Sequence, residues 1–475
     1  MTSPRQAQKK RMNNLTQVIA AVSTPPGKGG VAIIRMSGYG AFEIAERVFH
    51  PISGKSFSEA KARMQVYGHI VSDGEIVDDV LATRFPAPNS YTGEDTVEIG
   101  CHGGILVTRC VLEALLRAGA RLAEAGEFTR RAFINGRLSL TEAEAISDLL
   151  EAQSTEQLKL SGSKARRRLG ERISSIRQSL VGLMSSVYAR IDYPDEDLGD
   201  FTDGELRASL YNIKEDCESL LASYRTGRAI SEGVKTVICG KPNVGKSSLY
   251  NLLLGEDAAI VTDIPGTTRD VLERSVPLGR VMLRIADTAG IRERDDMDVV
   301  ERIGVAKSRE MIAKSELLFA IFDISRPFDE EDEAIISEIS RHDVPQIALL
   351  NKSDLTPAFD KARLGDAFDY VIEVSVEKDE GDAISSLTGL VNALFTDERL
   401  VIGEDAVISS ARQHAALQRG LDFLNLAIES LDMGFSQDAA SSDIERALGA
   451  ISELDGRAVS EEIVSDIFSK FCVGK

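Results

Sequence analysis

The chain has 475 residues, 43% of them hydrophobic, and a formal net charge of −20. At roughly 100–200 residues per domain this length implies about two to four domains, and no apolar run reaches the roughly 18 residues of a membrane span. The acidic balance excludes a general coater of phosphate backbones and leaves any RNA contact to a local patch. Trp is absent and aromatics are only 5%, so Leu, Ile, Val and Ala must build the core. Cys101, Cys110, Cys217, Cys239 and Cys472 are scattered and form no CxxC pair or Cys/His cluster suited to zinc. Free thiols in a reducing, cytoplasmic compartment are expected.

The N-terminal stretch carries Arg5, Lys9, Lys10 and Arg11 without the apolar face of a transit peptide, and reads as a disordered extension. Residues 15–135 mix short β-like runs, Val31–Arg35 and Thr96–Ile99, with Gly-rich turns and one helix-like stretch at Val107–Leu116. A compact α+β domain follows from that texture. From about Gly136 the pattern changes to long helices. Thr141 followed by Glu144 predicts a capping box. Lys164-Ala165-Arg166-Arg167-Arg168 is the densest basic run, a solvated helix face or a local RNA contact. Leu169, Ile173, Ile176, Leu180, Leu183 and Val187 then recur at spacings of four and three, one stripe on a long helix that Tyr193-Pro194 ends. After residue 400, Leu417, Leu421, Leu424, Ile428 and Leu431 repeat the spacing. Narrow stripes need partners, so the two helical stretches are expected to pack as one bundle with residues 232–396 inserted between them.

Within the insertion, Val234–Cys239, Val281–Ala286, Leu317–Phe322 and Ile347–Leu350 are short apolar runs separated by helical segments. They predict a largely parallel sheet with helices on both faces. Gly240-Lys241-Pro242-Asn243-Val244-Gly245-Lys246-Ser247 fits GxxxxGK[ST] between a strand and a helix. Its backbone N–H groups can close around phosphate oxygens, Lys246 can bridge the β- and γ-phosphates, and Ser247 can ligate Mg²⁺. Thr262-Asp263-Ile264-Pro265-Gly266-Thr267-Thr268 forms a switch-like loop in which Thr268 completes the Mg²⁺ shell. Asp287-Thr288-Ala289-Gly290 follows the second run and supplies a carboxylate to that shell and an N–H to the γ-phosphate. Asn351-Lys352-Ser353-Asp354 follows the fourth run; Asp354 accepting from guanine N1 and N2 selects GTP over ATP. Ser375, after Val371–Val374, fits the last base-contacting loop, whose usual Ser-Ala-Lys is here Ser375-Val376-Glu377. Ile291 stands where Ras-like enzymes place a water-orienting Gln, so another polar group must serve.

Beyond these loops, the sequence resembles the tRNA modification GTPase MnmE (TrmE) family over almost its whole length. The resemblance rests on the TDIPGTTRD loop, on Ser23-Thr24-Pro25-Pro26-Gly27-Lys28-Gly29-Gly30, and on Pro88-Asn89-Ser90-Tyr91-Thr92-Gly93-Glu94-Asp95. Glu127-Phe128-Thr129-Arg130-Arg131-Ala132-Phe133 and the terminal Phe471-Cys472-Val473-Gly474-Lys475 continue it. It implies a multidomain α/β fold: an N-terminal α+β tetrahydrofolate-binding and dimerisation domain (1–135), a split all-α helical bundle (136–231 and 397–475), and an inserted Ras-like P-loop G domain (232–396).

The implied GTP-binding set is Asn243, Val244, Gly245, Lys246, Ser247 and Ser248, the loop Thr262 to Thr268, Asp287 to Gly290, and Asn351, Lys352 and Asp354, with Mg²⁺ on Ser247 and Thr268. Asn243, Thr262, Ile264 and Thr267 would surround K⁺, which supplies the charge an arginine finger supplies elsewhere. Glu301 would position water in place of the missing Gln; without the resemblance it reads as a solvated helix carboxylate. Arg35, Glu98, Arg137 and Lys475 would contact 5-formyl- or methylene-tetrahydrofolate, with Cys472 a functional residue nearby. On sequence alone, Arg35 reads as a strand-end surface charge and Cys472 as a buried terminal thiol.

The implied function is a K⁺-activated GTPase, homodimeric through its N-terminal domain with GTP-dependent G-domain pairing. With an FAD-containing, MnmG-like partner it would modify C5 of the wobble uridine of certain tRNAs; no membrane association is expected. A ribosome-assembly switch without modification activity, and a stand-alone folate-dependent transferase with a regulatory G domain, remain alternatives.

Overall fold

The computed structural model describes residues 17–192, 202–255, 273–286 and 310–474. The chain forms two compact units, one from residues 1–150, 165–177 and 448–475, the other from 151–164 and 178–447. Among the described residues no helix is long and apolar enough to cross a membrane.

The first unit is built on a seven-stranded sheet. Its elements are β1 (Ile19–Val22), β2 (Val31–Ser37), α1 (Ala41–Val48), β3 (Phe49–Pro51), β4 (Gln65–Ser72), β5 (Glu75–Phe85), β6 (Thr96–His102), α2 (Ile105–Arg117) and β7 (Arg121–Leu122). The strand order is β3-β4-β5-β6-β2-β1-β7, antiparallel except where β1 meets β7. Alternate residues point to one face: Ala32, Ile34 and Met36 of β2 and Val97, Ile99 and Cys101 of β6 join Ile44 and Val48 of α1 and Val111 and Leu115 of α2 in one core. Asp73 and Gly74, with φ of 53° and 83°, make the tight β4–β5 turn, the geometry an Asp-Gly pair favours.

Two helices follow, α3 (Glu127–Ile134) and α4 (Leu140–Glu151). The predicted Thr141/Glu144 capping box is displaced by two residues. Ser139 Oγ accepts from Glu142 N at 3.2 Å, and Ser139 N donates to Glu142 Oε2 at 2.7 Å. Leu140 is wholly buried and starts the helix two residues earlier than the sequence suggests, which makes Ser139 the cap. After α5 (Thr155–Ala165) comes α6 (Arg168–Asp192), and the six stripe residues from Leu169 to Val187 are all buried.

The second unit continues with α7 (Asp203–Ala222), α8 (Tyr224–Ser231), β8 (Val234–Gly240), α9 (Lys246–Leu254), β9 (Glu273–Leu278), β10 (Val281–Ala286), β11 (Leu317–Asp323), α10 (Glu330–Ile339), β12 (Gln346–Asn351), β13 (Tyr370–Val374), α11 (Glu380–Phe395), α12 (Ala411–Asp432) and the start of α13 (Gln437–Ser452), whose residues from 448 on belong to the first unit. Its sheet runs β13-β12-β11-β8-β10-β9, parallel apart from β9. Each central strand is buried on both faces. Leu317, Phe319 and Ile321 of β11 pack with Leu249 and Leu253 of α9 and Leu387 and Val391 of α11. Leu318, Ala320 and Phe322 pack on the other side with Ile339 of α10.

Pairing between the two helical stretches is carried by α12 and by α7, a helix that the periodicity did not single out. Leu206, Leu210, Ile213, Cys217 and Leu220 of α7 are buried, as is the Leu417–Leu431 stripe of α12. Arg207 binds the end of α12 through Asp432 Oδ1 at 2.9 Å and the Leu431 carbonyl at 2.6 Å, a cation where the helix dipole is negative. The last helix, α14 (Glu461–Ser469), belongs to the first unit, where Phe468 and Phe471 pack with Leu140 and Ala143.

Candidate functional site

The GxxxxGK[ST] segment leaves β8 and enters α9 as its spacing requires. Asn243 (φ 63°) and Gly245 (φ 106°) adopt left-handed backbone, the kind of loop that turns successive N–H groups inward to make an anion-binding concavity. A Cβ on Gly245 would overlap the Asn351 side chain, so this glycine answers a close approach as well as a backbone angle. Lys246 Nζ donates to the carbonyls of Gly240 at 2.8 Å and Lys241 at 2.5 Å. Ser247 is exposed at the helix start. Lys241 reaches Asp329 and Asp332, each at 2.7 Å. Burial opposes its charge, yet the hydrogen bonds to Asp329 and Asp332 outweigh it and raise the lysine's pKa.

Asn351, at the end of β12, is 4% exposed. Its Nδ2 donates to the Val244 carbonyl at 2.8 Å, and its Oδ1 accepts from Val376 N at 3.1 Å. Lys352 (φ 65°) spans the Asn243 carbonyl at 3.2 Å and Asp323 Oδ2 at 2.6 Å. Burial disfavours the Asp323 anion, but the bonds from Lys352 and Ser325 prevail and depress its pKa. Asp354 takes Ser375 Oγ at 2.7 Å on one carboxylate oxygen and Lys378 Nζ at 2.7 Å on the other. Those bonds, Lys378 first, hold its carboxyl below the usual range.

Three predicted loops thus meet at the carboxyl ends of β8, β12 and β13, the edge where open α/β sheets bind ligands. Ser248 Oγ contacts Glu377 Oε1 at 3.4 Å. Asp323, Lys378 and the Lys241–Asp332 pair escaped the sequence reading. Asp323 closes an apolar strand run, and a carboxylate there was a usable signal. Thr262 to Thr268, Asp287 to Gly290, Ile291 and Glu301 lie outside the described residues.

A second constellation lies in the first unit. Arg35 is inside β2 rather than at its end, because the strand runs on to Ser37; it stands in register between Ala21 and Glu98. Its Nε and Nη2 meet Glu98 Oε1 at 2.9 and 2.8 Å. Its guanidinium lies 5.2 Å from the Tyr91 ring centroid and 5.8 Å from that of Phe128. Burial raises the Tyr91 pKa, and its hydroxyl pairs with Thr129 Oγ1 at 2.9 Å. On the same helix as Phe128, Arg131, 1% exposed, binds Glu94 at 3.1 Å and Glu127 at 3.0 Å.

The C-terminal tail docks on the same unit. Val473 bridges Ala125, the Cys472 carbonyl accepts from Gly126 N at 3.4 Å, and the Gly474 carbonyl accepts from Ser23 Oγ at 3.0 Å. Gly474 has φ 103°, and a Cβ there would strike the Val22 carbonyl. Cys472 is exposed, not buried, although its neighbour Phe471 packs into the cluster with Leu140 and Phe468. Arg137 is exposed, with its stem against Gly93. Lys475 and the N-terminal extension lie outside the described residues.

The basic run divides. Lys164 is buried and hydrogen-bonded to Ser409, while Arg167 pairs with Glu142 Oε1 at 2.7 Å. It is therefore not a uniform solvated face, because the chain turns at Arg167 (φ 71°) between α5 and α6.

Comparison with known proteins finds a family model described as the MnmE helical domain over residues 140–472 and one described as the GTP-binding protein TrmE N-terminus over residues 18–137. The tRNA modification GTPase MnmE of Carboxydothermus hydrogenoformans is 41% identical over 466 residues, 97% of this chain and 100% of that one. Those of Heliobacterium modesticaldum and Thermoanaerobacter sp. (strain X514) are 42% and 39% identical, each covering 96% of this chain and 99% of theirs.

Proposed function

Because this chain belongs to the tRNA modification GTPase MnmE family, a GTP hydrolase acting in tRNA modification, we propose that its turnover is K⁺-activated and coupled to a base modification. With a flavin-containing, MnmG-like partner in the cytoplasm it adds a carboxymethylaminomethyl-type group at C5 of the wobble uridine of certain tRNAs. The one-carbon unit comes from a 5-formyl- or methylene-tetrahydrofolate. The chain works as a dimer through its N-terminal domain (1–135), its G domains (232–396), inserted between the helical segments 136–231 and 397–475, pair on GTP binding, and GTP turnover drives conformational change in the complex.

The GTPase half of this reading is supported chiefly by the meeting of Asn351 with Val244 and of Asp354 with Ser375. The phosphate loop and the base-selecting loop are bonded to each other, so one nucleotide can span both. Asn243 to Ser248 cradle the phosphates, Lys246 neutralises their charge, and Asp354 accepts from guanine. Ser247 and Thr268 would hold Mg²⁺, and Asn243, Thr262, Ile264 and Thr267 would hold K⁺, which would supply positive charge as phosphate charge develops. Glu301 orients water in place of the Gln that Ile291 lacks.

The folate half is supported by the Arg35–Glu98 pair beside Tyr91 and Phe128. A cation, a carboxylate and two aromatic rings suit a flat heterocycle bearing an acidic tail. Arg35, Glu98, Arg137 and Lys475 would hold it, with Cys472 exposed on the docked tail as the remaining reactive group.

The test is nucleoside analysis of tRNA from a deletion strain, followed by reconstitution with and without the flavin partner. Loss of the C5-modified uridine, restored only by both proteins, is expected. Intact modification with defective ribosome assembly would establish the rival switch; modification by this chain alone would establish the stand-alone transferase.

A further inference from the structure

Asp354 is held from two sides. Ser375 Oγ reaches Oδ1 at 2.7 Å and Lys378 Nζ reaches Oδ2 at 2.7 Å. Ser375 is 2% exposed at the end of β13, and its carbonyl accepts from the backbone N–H of Lys378 at 3.2 Å and of Asp379 at 2.9 Å. Both donors therefore stand on one closed turn. The lysine is at the solvent rim, its side chain 65% exposed against 19% for Asp354.

A carboxylate offers about four lone-pair sites, two on each oxygen. Ser375 and Lys378 take one on each and leave one on each. A guanine presents a matching pair of donors, N1–H and the exocyclic N2–H. The terminal torsion of an Asp is broad and roughly two-fold, so an unclamped carboxylate would meet that pair only part of the time. The chain also departs here from the Ser-Ala-Lys order: Glu377 sits at the lysine's usual place and contacts Ser248 at 3.4 Å, while the cation comes one residue later, beside the acid.

We propose that Lys378 is a positioning residue for guanine specificity, fixing the Asp354 carboxylate so that both guanine donors are met at once. This deepens the GTPase reading and rests on Asp354 being the base acceptor. The cation also favours the ionised form of Asp354, the only form that accepts from both donors.

The test uses the full chain with GDP and with inosine diphosphate, which lacks the 2-amino group. Lys378→Ala should raise the Kd for GDP about two- to fivefold, the range of exposed ion pairs, and change inosine diphosphate binding little, so the preference ratio falls. Lys378→Arg should restore it. Removing the cation raises the Asp354 pKa, so as pH falls the Lys378→Ala variant should lose GDP binding at a higher pH than the parent. A parental ratio in Lys378→Ala, or equal weakening of both nucleotides, overturns the proposal. Asp354→Asn separates the two levels. It should abolish the ratio and gain xanthosine diphosphate binding. An unchanged ratio there sinks the base-acceptor reading itself, whereas a collapsed ratio beside an intact Lys378→Ala ratio sinks only the role of Lys378.

Discussion

Asn351 Nδ2 lies 2.8 Å from the Val244 carbonyl, so the residue that opens the base-selecting loop also fastens the phosphate loop. With Val376 N on its oxygen, this one buried amide joins three loops from three strands.

Asn351→Ala removes both bonds and leaves a buried carbonyl and N–H unpaired, a loss of about 1–3 kcal/mol. Affinity for GDP should fall about tenfold or more, with the loss carried mainly by faster release. Stopped-flow displacement of a fluorescent GDP checks this. A parental off-rate would mean that the link between the loops does not hold the nucleotide.

The proposed K⁺ site predicts potassium-dependent turnover. Turnover should be about a hundredfold faster in KCl than in matched NaCl, the scale of one well-placed transition-state charge, and oligomer mass should rise with GTP in KCl only. Asn243→Ala should erase the K⁺ effect while leaving GDP binding largely intact, and Glu301→Ala should slow hydrolysis while pairing persists. Equal rates in the two salts would rule out this catalytic arrangement without touching the GTPase assignment.

Arg35→Ala removes the cation that faces Glu98, Tyr91 and Phe128. Calorimetry with 5-formyl-tetrahydrofolate should show binding weakened roughly thirtyfold, about 2 kcal/mol for a charged hydrogen bond. Undiminished binding by the variant would take Arg35 out of the folate site.

Acid should loosen the first unit through Glu127. Burial disfavours its anion, but bonds from Arg121 and Glu124 N and the charges of Arg131 and Arg121 prevail, so its pKa is lowered from 4.5. Its folded pKa is below its unfolded value, so the stability it adds is present above about pH 4.5 and is lost as pH falls through the depressed value. Glu127→Gln should lower stability at pH 7 by about 3 kcal/mol, the scale of breaking a buried pair, and flatten this acid limb. Urea unfolding followed at pH 7, 5 and 3.5 decides it; an acid limb as steep in the variant as in the parent would place the pH sensitivity elsewhere.

Much of the architecture was legible because it is local. The α6 stripe from Leu169 to Val187 and the runs that became β8, β10, β11 and β12 are set by side-chain periodicity. The phosphate loop is contiguous, so Gly240, Gly245 and Lys246 announced it. The edge strand β9 went unread because Glu273, Arg274 and Pro277 disguise it; Pro277 is tolerated since an edge strand can lack an N–H. The β4–β5 hairpin carried a readable Asp73-Gly74 signal.

By itself, then, the sequence determined the elements whose cause lies within a few residues, and the chemical classes of the nucleotide loops. Only the tertiary structure decided which distant groups meet: Asn351 on Val244, Lys378 on Asp354, Lys241 on Asp332, Gly474 on Ser23, and the burial of Lys164. The physical reason is that such contacts depend on where sheet order and strand ends place two loops. Periodicity constrains a residue's face, whereas a hydrogen bond between residues remote in sequence depends on distances that packing alone sets.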